Sequence, residues 1–236
     1  MPLIYEPRGK AREYAPLALN IYRGCSHRCS YCYVPSILNM TGAQFAEATG
    51  TIGAWSLERL RRECKGLAGG SVPVFLSFTS DPYQARELEY GYTRAALEIL
   101  RENQVPAIVL TKGGALSLRD LDVFQAFGGR LKYGTTLTGV SRELWQKWEP
   151  GAASPAERIA ALGTVYDAGV RTWVSIEPVL DPRESLLAIE ASLAVTDEYR
   201  IGCVSGLATE TDWGEFLQRT VEVLRRAGKR FYVKAE

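Results

Sequence analysis

A chain of 236 residues, 46% hydrophobic and 23% charged, has ample material for one large α/β core, and this composition excludes intrinsic disorder. A formal net charge of +1 excludes the global basic field of a non-specific nucleic-acid binder, while a local basic patch stays open. No run of about 18 apolar residues occurs and Met1-Pro2-Leu3 opens no signal peptide. The expected setting is therefore cytoplasmic and reducing, with no membrane partner, where clustered thiols mean metal or redox work.

In chain order, residues 1–16 read as an amino-terminal arm and residues 17–236 as one core domain. The arm carries "YEPRGKAREY", basic through Arg8, Lys10 and Arg12. A solvated segment packing over the core is expected, with phosphate or protein contact as the alternative. Apolar or β-branched runs at Leu17–Tyr22, Val74–Phe78, Ala107–Leu110, Leu131–Thr136, Thr172–Ile176, Ile201–Val204 and Phe231–Val233 read as strands. Helical spacing lies between them. Ser56 reads as an N-cap ahead of Leu57 and Leu60, and Tyr92 to Leu100 forms an amphipathic stripe. Ser154-Pro155 opens a further helix, and Asp212 opens a last one that Gly228 stops. The alternation argues for six βαβ units and a parallel sheet, fewer than the eight of a complete barrel. An open partial barrel or a doubly wound sheet fits. In both, chemistry sits beyond the carboxyl ends of the strands.

The stretch "YRGCSHRCSYCYVP" follows the first strand and packs three of the five cysteines into eight residues. Cys25, Cys29 and Cys32 have the spacing C-x3-C-x2-C, and three thiols cannot pair among themselves. Three readings stand on spacing alone. Three thiolates hold a [4Fe–4S] cluster with one iron left open, or His27 joins them on zinc, or Cys64 or Cys203 completes an electron-transfer cluster.

The spacing, with aromatic Tyr31 just before the last cysteine and a strand just before the loop, resembles the radical S-adenosylmethionine superfamily. Within it the chain is most similar to the spore photoproduct lyase-like group. The likeness continues through "SFTSDPYQ", "LTKGG", "YGTTLTG" and "WEPGAASPAERIAAL", from about Leu17 to Val179 in the expected order. It implies a single-domain partial (β/α)6 TIM-like barrel and an enzyme whose Cys25, Cys29 and Cys32 hold a [4Fe–4S] cluster. It also implies S-adenosylmethionine chelated to the open iron and cleaved by one electron to a 5′-deoxyadenosyl radical, which abstracts hydrogen from a substrate. The electron comes from a reductant such as flavodoxin or ferredoxin. Thr79, Ser80 and Asp81 are then candidates for the ammonium of the methionine moiety, and Lys112 for its carboxylate. Thr136 and Thr138 are candidates for ribose or carboxylate, Tyr31 for adenine and Glu177 for cofactor or substrate. Read without the resemblance, Ser80-Asp81-Pro82 is equally a helix-entry turn and Lys112 a loop charge.

The likeness breaks at one position. Photoproduct lyases place a hydrogen-donating cysteine immediately before Thr-Ser-Asp, and here that residue is Phe78. Cys203 and Cys64 are the thiols that could replace it and Tyr33 could relay a radical, although Cys203 also reads as a small buried hydrophobe and Cys64 as a helix residue. The substrate stays open between a nucleotide or nucleic acid and a peptide or metabolite. A non-catalytic iron–sulfur or zinc protein is the alternative to an enzyme.

Overall fold

The structure, a computed structural model, describes residues 2–48, 50, 51, 53–203 and 212–234. Its strands are β1 (Ile4–Tyr5), β2 (Leu17–Leu19), β3 (Tyr22–Arg23), β4 (Gly50–Thr51) and β5 (Val74–Leu76), then β6 (Ala107–Thr111), β7 (Leu131–Thr136), β8 (Arg171–Val179), β9 (Glu198–Cys203) and β10 (Arg230–Val233). The main sheet has the order β1-β2-β5-β6-β7-β8-β9-β10. From β2 onward every pairing in it is parallel and follows chain order.

Helices fill each crossover. After β2 come α1 (Val34–Ile37), α2 (Gly42–Glu47) and α3 (Ala54–Lys65), and after β5 come α4 (Glu87–Tyr90) and α5 (Tyr92–Glu102). A 3-10 turn and α6 (Leu121–Ala126) follow β6, and α7 (Arg142–Trp148) and α8 (Pro155–Asp167) follow β7. Then α9 (Pro182–Ser192) follows β8 and α10 (Trp213–Arg226) follows β9. The six crossovers and the last strand match the sequence reading, and the partial TIM-like barrel is the architecture observed.

Alternation along the strands sorts the two faces. In β8, Val174 and Ile176 join the main core beneath the helices, whereas Trp173 packs in a smaller cluster with Ala18, Phe75 and Ile108 inside the barrel. Gly134 of β7 makes room for that indole, since a Cβ there would stand 2.3 Å from Trp173 Nε1. Ser154 caps α8 through a capping box with Glu157, and Pro155 takes the first turn.

Three local expectations are corrected. The strand Leu17–Tyr22 is two pieces: β2 ends at Leu19, and Tyr22–Arg23 turns away to pair with β4. The strand at Val74 ends at Leu76, because Ser77 has a φ of +118° and breaks the ladder. Ser56 is no cap; α3 starts at Ala54 behind Gly53, and Ser56 is buried within it.

The arm fills the open side of the barrel. β1 pairs antiparallel with β2, and the amides of Leu3 and Ile4 donate to the Glu63 carboxylate on α3. A 3-10 turn at Gly9–Glu13 then sends the Tyr14 ring inward against Phe75, Phe78 and Trp173, with centroids 5.5, 6.0 and 5.9 Å away. On the far side Arg200 donates to the Glu13 carbonyl at 2.9 Å, and the Tyr232 hydroxyl donates to the Glu13 carboxylate. The segment thus bridges the first and last parallel strands. Among the described residues no helix is long and apolar enough to cross a membrane.

Candidate active site

The three clustered cysteines sit in the loop after β3, beyond the carboxyl end of β2. Gly24 starts this loop with a φ of +94°, and a Cβ there would stand 2.5 Å from the Ala48 carbonyl. Only glycine lets the end of α2 close this tightly on the loop. Buried Gln84 clamps the backbone, donating to the Gly24 carbonyl at 2.9 Å and accepting from the Ser26 amide at 3.1 Å. The loop after α7 holds the other side: Ser30 N donates to Trp148 O and Gly151 N to His27 O. Gly151 is required there, since a Cβ would meet Ser26 O at 2.3 Å.

So held, Cys25, Cys29 and Cys32 line a single cavity of about 530 Å³, together with Arg28, Met40 and Phe45. Among the described residues no three His, Cys, Asp or Glu side chains are grouped to share one metal ion. Burial pushes the Cys25 thiol up to about 12 and the Cys29 thiol up to about 11, and raises Cys32 as well. Thiols in this state keep their protons until a metal displaces them.

Asp81 is the loop's main anchor. Its carboxylate accepts from the Thr111 hydroxyl at 2.5 Å, the Lys112 amide at 2.7 Å and the Tyr83 amide at 2.8 Å. His27 Nε2 lies 3.2 Å from the same carboxylate, and His27 Nδ1 lies 3.0 Å from the Gly151 carbonyl. Burial alone would raise the Asp81 pKa, but His27 and the hydrogen bonds from Thr111 and Lys112 hold it down to about 2. Thr79 is half-buried beside it, with its amide and that of Phe78 donating to Asn20 Oδ1. The Ser80 hydroxyl is buried without a partner among the described residues. Thr136 ends β7 and Thr138 lies two residues beyond; both are buried.

Lys112 follows β6, and its ammonium lies 5.6 Å above the Tyr31 ring centroid. Burial would lower its pKa, but the facing Cys29 sulfur and Glu149 carboxylate raise it. Behind Tyr31, its hydroxyl donates to buried Glu149, whose other oxygen is 2.7 Å from Arg158 Nη1. Arg158 also donates to the carbonyls of Ala153 and Thr136.

Cys25, Cys29, Cys32, Tyr31, Asp81 and Lys112 thus form one neighbourhood. Glu177 belongs to another, inside the barrel. It accepts from Tyr14, its carboxylate is 2.8 Å from Lys234, and Tyr14 also meets the Ser175 hydroxyl at 3.2 Å. Gly202 beside it leaves room for the carboxylate side chain. Tyr33 is exposed at the rim and donates to the Phe78 carbonyl at 3.3 Å. The Phe78 ring stacks on Phe75 at 4.2 Å. Cys203 ends β9, half-buried and in register with Val179. Cys64 is wholly buried in the main core.

Sequence reasoning missed Glu149, Arg158, Tyr14 and Lys234 and treated His27 only as a zinc ligand. Glu149 and Arg158 stand inside the quoted "WEPGAASPAER" motif, so their spacing was available as a signal. Nothing local marks Tyr14, which reaches its place only through the path of the arm.

Comparisons with known proteins agree with this fold. The family model described as the Radical SAM superfamily matches residues 19–195. An uncharacterized protein of Methanocaldococcus jannaschii is 28% identical over 173 residues, covering 70% of this chain and 61% of its own length. The chain therefore spans about three fifths of that relative. Spore photoproduct lyase complexed with a dinucleoside spore photoproduct superposes with a TM-score of 0.71 at 15% identity, over 97% of this chain and 80% of the lyase. Streptococcus suis SuiB bound to S-adenosylmethionine gives 0.69 at 12% identity, over 92% of this chain and 50% of SuiB.

Proposed function

The chain belongs to the radical SAM superfamily, and from that premise we propose that it is an enzyme in which Cys25, Cys29 and Cys32 hold a [4Fe–4S] cluster whose open iron takes S-adenosylmethionine. The observation that carries this reading is the single cavity lined by all three thiols, with a charged lysine facing two of them. The residues fit the group. A cluster distributes three thiolates over three irons, which suits a loop whose cysteines share a cavity without being grouped on one ion. When bound, the cluster and S-adenosylmethionine supply one-electron cleavage to methionine and a 5′-deoxyadenosyl radical that abstracts hydrogen from the substrate.

The chain's own residues bind and orient. Lys112 balances the methionine carboxylate, and its place over the Tyr31 ring keeps that charge at the edge of the cysteine loop. Thr79 and the Ser80 hydroxyl, which has no partner among the described residues, serve the ammonium. Asp81 serves it indirectly, because its oxygens are already engaged by Thr111, Tyr83, Lys112 and His27. Thr136 and Thr138 offer hydroxyls for ribose, and Tyr31 a ring for adenine. Glu177, Tyr14 and Lys234 make a polar wall inside the barrel that faces substrate. Cys203 and Tyr33 are the candidates to return hydrogen, since Phe78 carries none to give.

The reductant is a low-potential carrier such as flavodoxin or ferredoxin, and the setting is cytoplasmic. The substrate class follows from the neighbours only in outline, a dinucleoside for the lyase and a precursor peptide for SuiB. The test is anaerobic reconstitution followed by reduction with S-adenosylmethionine present. About four irons and four sulfides per chain and release of 5′-deoxyadenosine are expected. Tightly bound zinc with no nucleoside released would overturn the reading.

A further inference from the structure

We propose that the buried Glu149–Arg158 ion pair is a positioning device that sets Tyr31 and Lys112 around S-adenosylmethionine. The inference rests on the reading of the site given above and goes beyond it in assigning these two residues. Neither lies at the rim of the site; both are almost completely inaccessible to solvent, at 1% and 0% side-chain exposure.

A buried ion pair contributes little net stability compared with an apolar pair of the same volume. What this one supplies is direction. Glu149 divides its two oxygens, one accepting from the Tyr31 hydroxyl and the other paired with Arg158 Nη1. Tyr31 stands between Cys29 and Cys32 in sequence, so fixing its hydroxyl fixes the plane of a ring inside the cysteine loop itself. Arg158 acts on the opposite wall. Its Nε donates to the Ala153 carbonyl at 2.7 Å, and the Ala153 amide donates to the Lys112 carbonyl at 3.0 Å. Arg158 Nη1 also holds the Thr136 carbonyl at 3.0 Å, at the end of β7. One ion pair therefore reaches three candidate cofactor residues, one by a side-chain bond, one by a main-chain relay and one through its carbonyl.

Charge supports the same assignment. Lys112 has no hydrogen-bond acceptor of its own among the described residues, and Glu149 is one of the negative groups facing it. Glu149 is thus placed to hold the ammonium near Tyr31 without neutralising it by direct contact. The partly unmatched charge is left for an anionic ligand.

The experiment uses the reconstituted protein and S-adenosylmethionine as the probe. Tyr31→Phe removes only the bond to Glu149 and keeps the ring, and Glu149→Gln removes the charge. Equilibrium dialysis is expected to give about tenfold weaker binding for each, with iron content and apo-protein melting unchanged in Tyr31→Phe. The double variant is expected to be weaker by less than the product of the two single losses, because Tyr31 and Glu149 act through one linkage. Parallel loss of iron and melting temperature with unchanged affinity per loaded site would mean a merely structural pair and overturn the proposal. If Glu149→Gln fails to fold, Tyr31→Phe decides: wild-type affinity there overturns it. A loaded wild-type protein that binds no S-adenosylmethionine would instead overturn the underlying reading, a result distinguishable from the other two.

Discussion

His27 Nε2 lies 3.2 Å from Asp81 Oδ2, and this contact fastens the cysteine loop to the ends of β5 and β6. Since His27 Nδ1 faces the Gly151 carbonyl, both ring nitrogens meet oxygen acceptors.

The Asp81 carboxyl is held down to about 2 against an ordinary 3.8. A depressed carboxyl contributes its full stability above the ordinary value and loses it as pH falls toward the folded-state value. The contribution is about 2 kcal/mol. Asp81→Asn should therefore lower the urea midpoint of the apo-protein by a constant amount from pH 7 to pH 5. The gap between the two proteins should narrow as pH falls below about 4. A gap independent of pH would show that the Asp81 charge does not anchor the loop.

Replacing Cys25, Cys29 or Cys32 with alanine should each abolish iron and sulfide binding after reconstitution. Cys64→Ala should keep both, because Cys64 is buried in the main core and lines no part of the cysteine cavity. Metal analysis of the four variants checks this. Loss of iron in Cys64→Ala would make it the fourth ligand.

Lys112→Ala should spare the iron and weaken S-adenosylmethionine binding. A charge-assisted contact is worth on the order of 1.5–3 kcal/mol, so roughly a ten- to hundredfold loss of affinity is expected by titration of the loaded protein. Unchanged affinity would place the ammonium outside the cofactor site.

Phe78 stands where the resemblance to photoproduct lyases expects a hydrogen-donating cysteine, and its ring stacks on Phe75. Reconstituted protein given thymine photoproduct dinucleotide and S-adenosylmethionine should not turn over to paired thymines, and Phe78→Cys should not gain that reaction. Efficient repair by the unaltered chain would contradict this and direct attention to Cys203.

The strands and the cysteine loop were legible in the sequence because each signal is local. Apolar runs alternate with helical stripes, and C-x3-C-x2-C needs no tertiary knowledge to read. Asp81 stood out in the sequence, but its contacts did not, since the groups that engage it come from residues 27, 83, 111 and 112. Tyr14 was illegible for the same reason in stronger form: it meets Ser175 and Glu177, more than 160 positions away. Ser56 misled because its sequence favours a cap, whereas Gly53 with its positive φ starts the helix earlier.

If Cys25, Cys29 and Cys32 alone hold a four-iron cluster, one iron stays open for S-adenosylmethionine. Electron paramagnetic resonance of the dithionite-reduced, reconstituted protein tests it most directly. With one iron open, the reduced-cluster signal shifts when S-adenosylmethionine is added; a cluster with all four irons ligated by protein would give an unshifted signal. A loaded, reduced cluster whose signal is unchanged at saturating S-adenosylmethionine would contradict it.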